Sequence, residues 1–247
     1  MRGIVLKSHS YPTAPLAYIV NRLVPEVSTF GSLCLDYETG GINLSAVEAS
    51  AGLGAKVVWM PTFSAASFRA AMARSFGFSF ADKGINIVKD KVFQAVTDIL
   101  QVIKEHDMVL ATGHLSPEEV FALLKEAKRI GLSKMVITHP LSQQLFEKPL
   151  GLEEQRQLAK EGAFIEHCFL ELMPTGGRLP PEQMVEAIRL VGAERCIMST
   201  DFGQNNNPPA PEGMRMFIAT MLRYGIADAE IELMVKTNPA KLLGLTS

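Results

Sequence analysis

The chain has 247 residues, 47% hydrophobic and 20% charged, with a formal net charge of −2. That apolar content supports a large core and excludes global disorder. With 24 basic against 26 acidic residues there is no general attraction to nucleic acid or anionic lipid, and no apolar run approaches the ~18 residues of a membrane helix.

The opening segment, Met1-Arg2-Gly3-Ile4-Val5-Leu6-Lys7, meets charge too early for a signal peptide. Cys34, Cys168 and Cys196 lack CxxC spacing. Reduced thiols in a cytoplasmic protein are therefore expected. The length suits one domain over 1–247, which an α/β barrel fills as a unit.

A β-rich run covers Gly3 to His9 and a second covers Thr29 to Leu35. A helix pattern over Ala46 to Leu53 stops at Gly54, before the run Lys56 to Pro61. Phe63 to Asp90 then interrupts the rhythm, with Ser-Phe-Gly-Phe-Ser-Phe at 75–80. It reads as a loop insertion (about 63–90) with a small hairpin, a candidate lid.

The run Met108 to Gly113 resumes the pattern. Ser116-Pro117-Glu118-Glu119 offers an N-cap, a first-turn proline and carboxylates for a helix ending at Gly131. Lys134 to His139 is the next run, followed by a helix over Glu153 to Glu161 and the run Ala163 to Cys168. Leu179-Pro180-Pro181-Glu182 starts a helix that ends at Gly192, before the run Cys196 to Thr200. The stretch from Gln204 to Glu212 is either a rigid polar loop on the active face or a solvated connection. The seven runs are apolar without polar alternation, as parallel strands covered on both faces are. Alternation with helices predicts a parallel α/β fold, a barrel or a doubly wound sheet.

His9, His114, His139 and His167 stand at or just beyond the C-terminal ends of predicted strands, and Asp201 follows the last. Only His106 looks like an exposed helix-end residue. In both α/β architectures, those strand ends form the ligand-binding face. Imidazole nitrogen with carboxylate oxygen suits zinc and similar divalent ions. The structural alternatives are hydrogen-bonded rim histidines and, for Asp201, a helix N-cap.

These residues carry a resemblance. Leu6-Lys7-Ser8-His9, Gly40-Gly41-Ile42-Asn43, Val58-Trp59-Met60-Pro61-Thr62 and Thr112-Gly113-His114-Leu115-Ser116 begin it. Thr138-His139-Pro140, Ile165-Glu166-His167, Ser199-Thr200-Asp201-Phe202-Gly203-Gln204 and Asn238-Pro239-Ala240-Lys241-Leu242-Leu243 continue it over nearly the whole chain. In order and spacing they resemble the amidohydrolase superfamily of metal-dependent hydrolases, within it an uncharacterised branch. The resemblance implies a (β/α)8 TIM-barrel-like fold with metal ligands at strand ends. Counting back from Asp201 on strand eight puts His167 on seven, His139 on six, His114 on five and His9 on two. Seven strands are recognisable. The first, with its His-x-His ligand pair, has no counterpart, the alternative being that Lys7-x-His9 serves as an unusual first strand of a seven-stranded barrel.

The resemblance thus implies a divalent metal, most simply Zn2+, held by His114, His139, Asp201 and His9, with Asp201 taking a proton from metal-activated water. Lys7, Glu166, His167, Asn43 and Gln204 are expected to touch substrate or orient the ligands. Lys7 in a salt bridge, Asn43 in a plain turn and Trp59 in the core are the structural alternatives. Few cations beyond Lys7 and Arg215 line the expected face, so a small amide, lactone or ester is favoured over a phosphoester. Two alternatives stand: a metal-free lyase or isomerase using Lys7, and a catalytically silent binding protein lacking the first-strand ligands. An open barrel edge argues for a homo-oligomer; neither nucleic acid nor a membrane is expected as a partner.

Overall fold

The structure is a computed structural model and describes residues 2–245. The chain forms two compact units, Met1–Met135 with Leu145–Lys148, and Val136–Gln144 with Pro149–Ser247.

In the first unit, β1 (Gly3–Val5) and β2 (Ser28–Phe30) form a parallel pair flanking α1 (Ala14–Leu23). A parallel ladder follows in chain order: β3 (Ser32–Cys34), β4 (Val57–Trp59) and β5 (Val109–Ala111). The helices are α2 (Leu44–Gly52), α3 (Ala66–Phe76), α4 (Asp90–Glu105) and α5 (Pro117–Arg129). Every residue of β3, β4 and β5 is buried, as expected for parallel strands covered on both faces. Each fully buried Val or Leu side chain there stabilises by about 1.5–3 kcal/mol. The register aligns Cys34 with Trp59 and Trp59 with Ala111, so these three strands end on one level.

The second unit has the same plan. β6 (Met135–Ile137, beginning at the unit boundary), β7 (Phe164–Cys168) and β8 (Cys196–Ser199) run parallel, with α6 (Leu152–Lys160) and α7 (Pro181–Val191) between them. After β8 come α8 (Ala210–Arg223), α9 (Asp228–Glu232), a π-helical turn over Leu233–Thr237, and α10 (Asn238–Leu243). Buried Asn238 ties this end to β8, donating from Nδ2 to the carbonyls of Ala193 (2.8 Å) and Cys196 (2.7 Å). No helix among the described residues is long and apolar enough to cross a membrane.

The fold is therefore mainly α/β with parallel strands, as expected, and each of the seven β-rich runs contains a strand. Three particulars differ. The run 29–35 holds two strands, because Gly31 interrupts it, so the described residues carry eight strands rather than seven and His9 follows the first of them, not the second. A Cβ there would lie 2.3 Å from the Ala14 Cα, so the chain must yield where α1 begins. The first run ends its strand at Val5, leaving His9 in the bend that follows rather than at a strand end. The interruption 63–90 contains α3 and no hairpin. Its Ala65–Ile85 bridge is parallel, and Ala65, Phe68 and Met72 turn their apolar side chains into a buried cluster with Phe80 and Leu145. The aromatic residues of 76–80 masked that helical period.

Candidate active site

In the first unit, the bend after β1 is fixed by its backbone. The Leu6 carbonyl accepts from both the Thr13 and Ser32 hydroxyls, and Leu6 N–H donates to the Phe30 carbonyl (2.9 Å). This places His9 beside Asp36 and Thr62, which follow the level ends of β3 and β4. His9 Nδ1 lies 2.6 Å from Thr62 Oγ1 and 3.3 Å from Asp36 Oδ2.

Asp36 is fully buried. Its Oδ1 accepts the backbone N–H groups of Thr62 (2.9 Å) and Ser64 (2.8 Å), and its Oδ2 accepts the Thr62 hydroxyl. Burial pushes the Asp36 carboxyl up, but hydrogen bonds from His9, Thr62 and Ser64 outweigh it and hold the group below its ordinary value. The exposed Phe63 ring stacks on His9 at 3.8 Å and 14°.

The same Phe63 lies 6.1 Å from His114, so two predicted ligands share one aromatic platform. His114 is buried, with Phe68 at 5.2 Å and Phe146 edge-on at 5.9 Å. It follows a left-handed turn at Gly113 (φ +59), and its N–H donates to the Pro61 carbonyl (2.9 Å). Lys7 places its ammonium 5.4 Å from the centre of the buried Trp59 ring. Asn43 caps α2, its side chain accepting from Ala46 N–H (3.3 Å).

In the second unit, His139 is buried and Asp201 half-buried, each two residues beyond its strand. Both have left-handed backbone, φ +28 and +52. Asp201 is no helix cap, since α8 starts only at Ala210. Gln204 braces the turn around it, with Nε2 donating to the Asp201 carbonyl (3.1 Å) and Oε1 accepting from Gly203 N–H (3.2 Å) and Asn207 (2.8 Å).

Ser199 joins Glu166 and Cys168, donating its hydroxyl to Glu166 Oε1 (2.9 Å) and meeting Cys168 Sγ at 3.2 Å. His167 points to the opposite face of β7, by strand alternation. It is fully buried, and burial drops its imidazole to about 4, so it is neutral. Burial raises the Glu171 carboxyl to about 8, against the pull of a hydrogen bond from Cys168 N–H. Asp201 and Glu166 add to that rise. The Cys168 thiol is pushed up by burial and then by the same carboxylates.

Asp36, Thr62, Phe63 and Glu171 were not anticipated. Asp36 and Thr62 were within reach, because both follow β-rich runs at the level that marked out the histidines. Glu171 has no sequence signal beyond its turn-capping position.

His9, Cys34 and Asp36 offer imidazole, thiol and carboxylate atoms within 4.8 Å of one another, a set chemically suited to zinc. As arranged, however, four donors already face the Asp36 carboxylate. The carboxylate is thus a buttress for His9 rather than a ligand in waiting.

The model of a family of unknown function, DUF6282, matches residues 1–166. The chain belongs to this family. No curated protein matches it significantly. Among solved structures, the chain is similar to an amidohydrolase from Pseudomonas aeruginosa, at TM-score 0.58 and 12% identity over 98% of this chain and 78% of the other. A mutant organophosphorus hydrolase matches at TM-score 0.64 and 13% identity over 99% and 79%. A protein described as a 2-pyrone-4,6-dicarboxylic acid hydrolase from Pseudomonas putida matches at 0.55 and 14% over 94% and 77%. These likenesses establish for this DUF6282 chain the fold of TIM-barrel amidohydrolase-type proteins, as the sequence resemblance implied.

Proposed function

We propose that this protein is a metal-dependent hydrolase acting on a small lactone, ester or amide. The observation that carries the reading is the backbone at three predicted ligands. Gly113 before His114, then His139 and Asp201 themselves, all turn left-handed directly after strand ends. For residues other than glycine such backbone costs of order 1–3 kcal/mol and clusters at active sites. It occurs here on the fold shared with the named hydrolases.

In this reading His9 and His114 in the first unit, and His139 and Asp201 in the second, are donors available to divalent metal, Zn2+ being the simplest choice. When bound, the cation polarises a carbonyl or phosphoryl oxygen and acidifies water. Asp201 accepts the proton of the attacking water. Glu171, protonated at neutral pH because its carboxyl lies at about 8, adds no competing negative charge near Asp201. Phe63, Phe68 and Phe146 keep bulk water from His114. Glu166, held by Ser199, supplies a hydrogen-bonding carboxylate in the second unit. A small-molecule substrate, a cytoplasmic location and self-association belong to the same proposal. The lyase reading through Lys7 has less support, because a cation–π contact with Trp59 favours the charged, non-nucleophilic ammonium.

The test is hydrolysis of a panel of lactones, esters, amides and phosphoesters by protein loaded with Zn2+, Mn2+ or Co2+. Asp201→Asn should lower the rate by about 10²–10⁴-fold with unchanged thermal stability. No turnover with any metal, or an unaffected variant, would refute the reading.

A further inference from the structure

We propose that Asp36 and Thr62 are positioning residues that lock His9 as its Nδ1–H tautomer, leaving the Nε2 lone pair on the far ring edge as the donor. The inference deepens the proposed function and rests on it only in taking His9 as a cation donor.

The proton count follows from the geometry. Asp36 Oδ1 receives two backbone N–H groups, from Thr62 and Ser64. A protonated carboxyl would need an acceptor, and this oxygen meets only donors. The other oxygen, Oδ2, faces the Thr62 hydroxyl and His9 Nδ1. The single hydroxyl proton of Thr62 therefore points to Asp36. What Thr62 Oγ1 shows His9, 2.6 Å away, is a lone pair. A short contact of that kind requires hydrogen on Nδ1. The 3.3 Å approach of Nδ1 to Asp36 Oδ2 is a second branch of the same N–H.

Neutral imidazole carries one proton, so Nε2 is left with its lone pair. Phe63, stacked at 3.8 Å, holds the ring plane, and the His9 side chain is 29% exposed. This is the arrangement by which an outer carboxylate fixes the tautomer of a ligating histidine, with a threonine hydroxyl inserted as relay. It also accounts for a carboxylate buried among donors at a strand end, where packing alone would select an apolar residue.

The experiment is long-range 1H–15N correlation on full-length protein with labelled histidine, at about pH 8.5, where an ordinary imidazole is neutral. His9→Asn assigns the signal. Wild type and Thr62→Ser should both show His9 with hydrogen on Nδ1. Asp36→Asn should reverse the relay. The new amide donates to Thr62 Oγ1, the hydroxyl turns to Nδ1, and His9 carries its hydrogen on Nε2. Zn2+ affinity should then fall about 10–100-fold.

A wild-type His9 protonated on Nε2, or an unchanged tautomer in Asp36→Asn, overturns the proposal. Should Asp36→Asn not fold, the wild-type and Thr62→Ser spectra decide it alone. Titration with Zn2+ alone separates the two levels: the Nδ1–H tautomer with no Zn2+ response at Nε2 upholds the lock and removes His9 from the proposed donor set.

Discussion

Gly113 turns the chain from the end of β5 into His114, and replacing it with alanine is the sharpest test of how that histidine is presented. The new Cβ would lie 2.3 Å from the Met60 carbonyl oxygen and 2.6 Å from that of Pro61. Both are backbone atoms, and Pro61 O is also the acceptor for His114 N–H, so relief must move the β4–β5 rim. Left-handed backbone adds about 1–2 kcal/mol for a residue with a Cβ. Forcing a methyl into packed structure adds about 1–3 kcal/mol. The sum is about 2–5 kcal/mol. Gly131 supplies the control: its φ is +80, but the nearest atom to an added Cβ is the Lys104 Nζ at 3.5 Å. Gly131→Ala should show only the backbone cost, about 1–2 kcal/mol. Urea unfolding followed by circular dichroism measures both. If Gly113→Ala costs no more than Gly131→Ala, the close approach that shapes this rim is wrong.

Two other perturbations report on the second unit. Glu171 titrates near 4.5 when unfolded and about 8 when folded, so between those values the native state holds a proton the unfolded chain has released. Stability should fall as pH rises through that window, by at most about 1.4 kcal/mol per pH unit. His167, ordinary at 6.5 and about 4 when folded, acts in the opposite sense, with stability lost as pH falls from 6.5 toward 4. The two oppose each other between 4.5 and 6.5, so the net loss appears from 6.5 to 8. Glu171→Gln, whose amide oxygen can still accept from Cys168 N–H, should flatten it; a melting temperature falling equally in the variant would contradict this assignment. Asn238→Ala should cost about 2–4 kcal/mol in urea unfolding, because two buried carbonyls lose their donor, and a cost under about 0.5 kcal/mol, the range of neutral surface changes, would show that α10 is not anchored this way.

Much of the fold was legible, for physical reasons visible at particular residues. Buried parallel strands demand unbroken apolar runs such as Val57–Trp59, and the helix over Pro117–Arg129 declared both ends. Ser116 and Glu119 form the expected reciprocal cap, and Gly131 follows its end. The glycine break at 31 was not legible, since it depends on where α1 comes to rest. Nor was α3, whose one buried face is set among aromatic residues that suggest strand. At the candidate site, histidine chemistry stood out by residue type. The buttress did not, because Asp36 and Thr62 matter only through a hydrogen-bond chain that closes over 27 and 53 residues from His9. Asn43 and Gln204 stood out as residues to touch substrate or orient the ligands, but residue type did not reveal that one caps α2 and the other braces the Asp201 turn.

Elemental analysis of protein purified without chelator, dialysed against Zn2+ and passed through gel filtration, tests the central claim most directly. At least about one tightly held divalent ion per chain is expected, with clear loss from His114→Asn and Asp201→Asn variants that melt like the wild type. Wild-type protein that emerges without metal, or variants that retain it in full, would contradict the account.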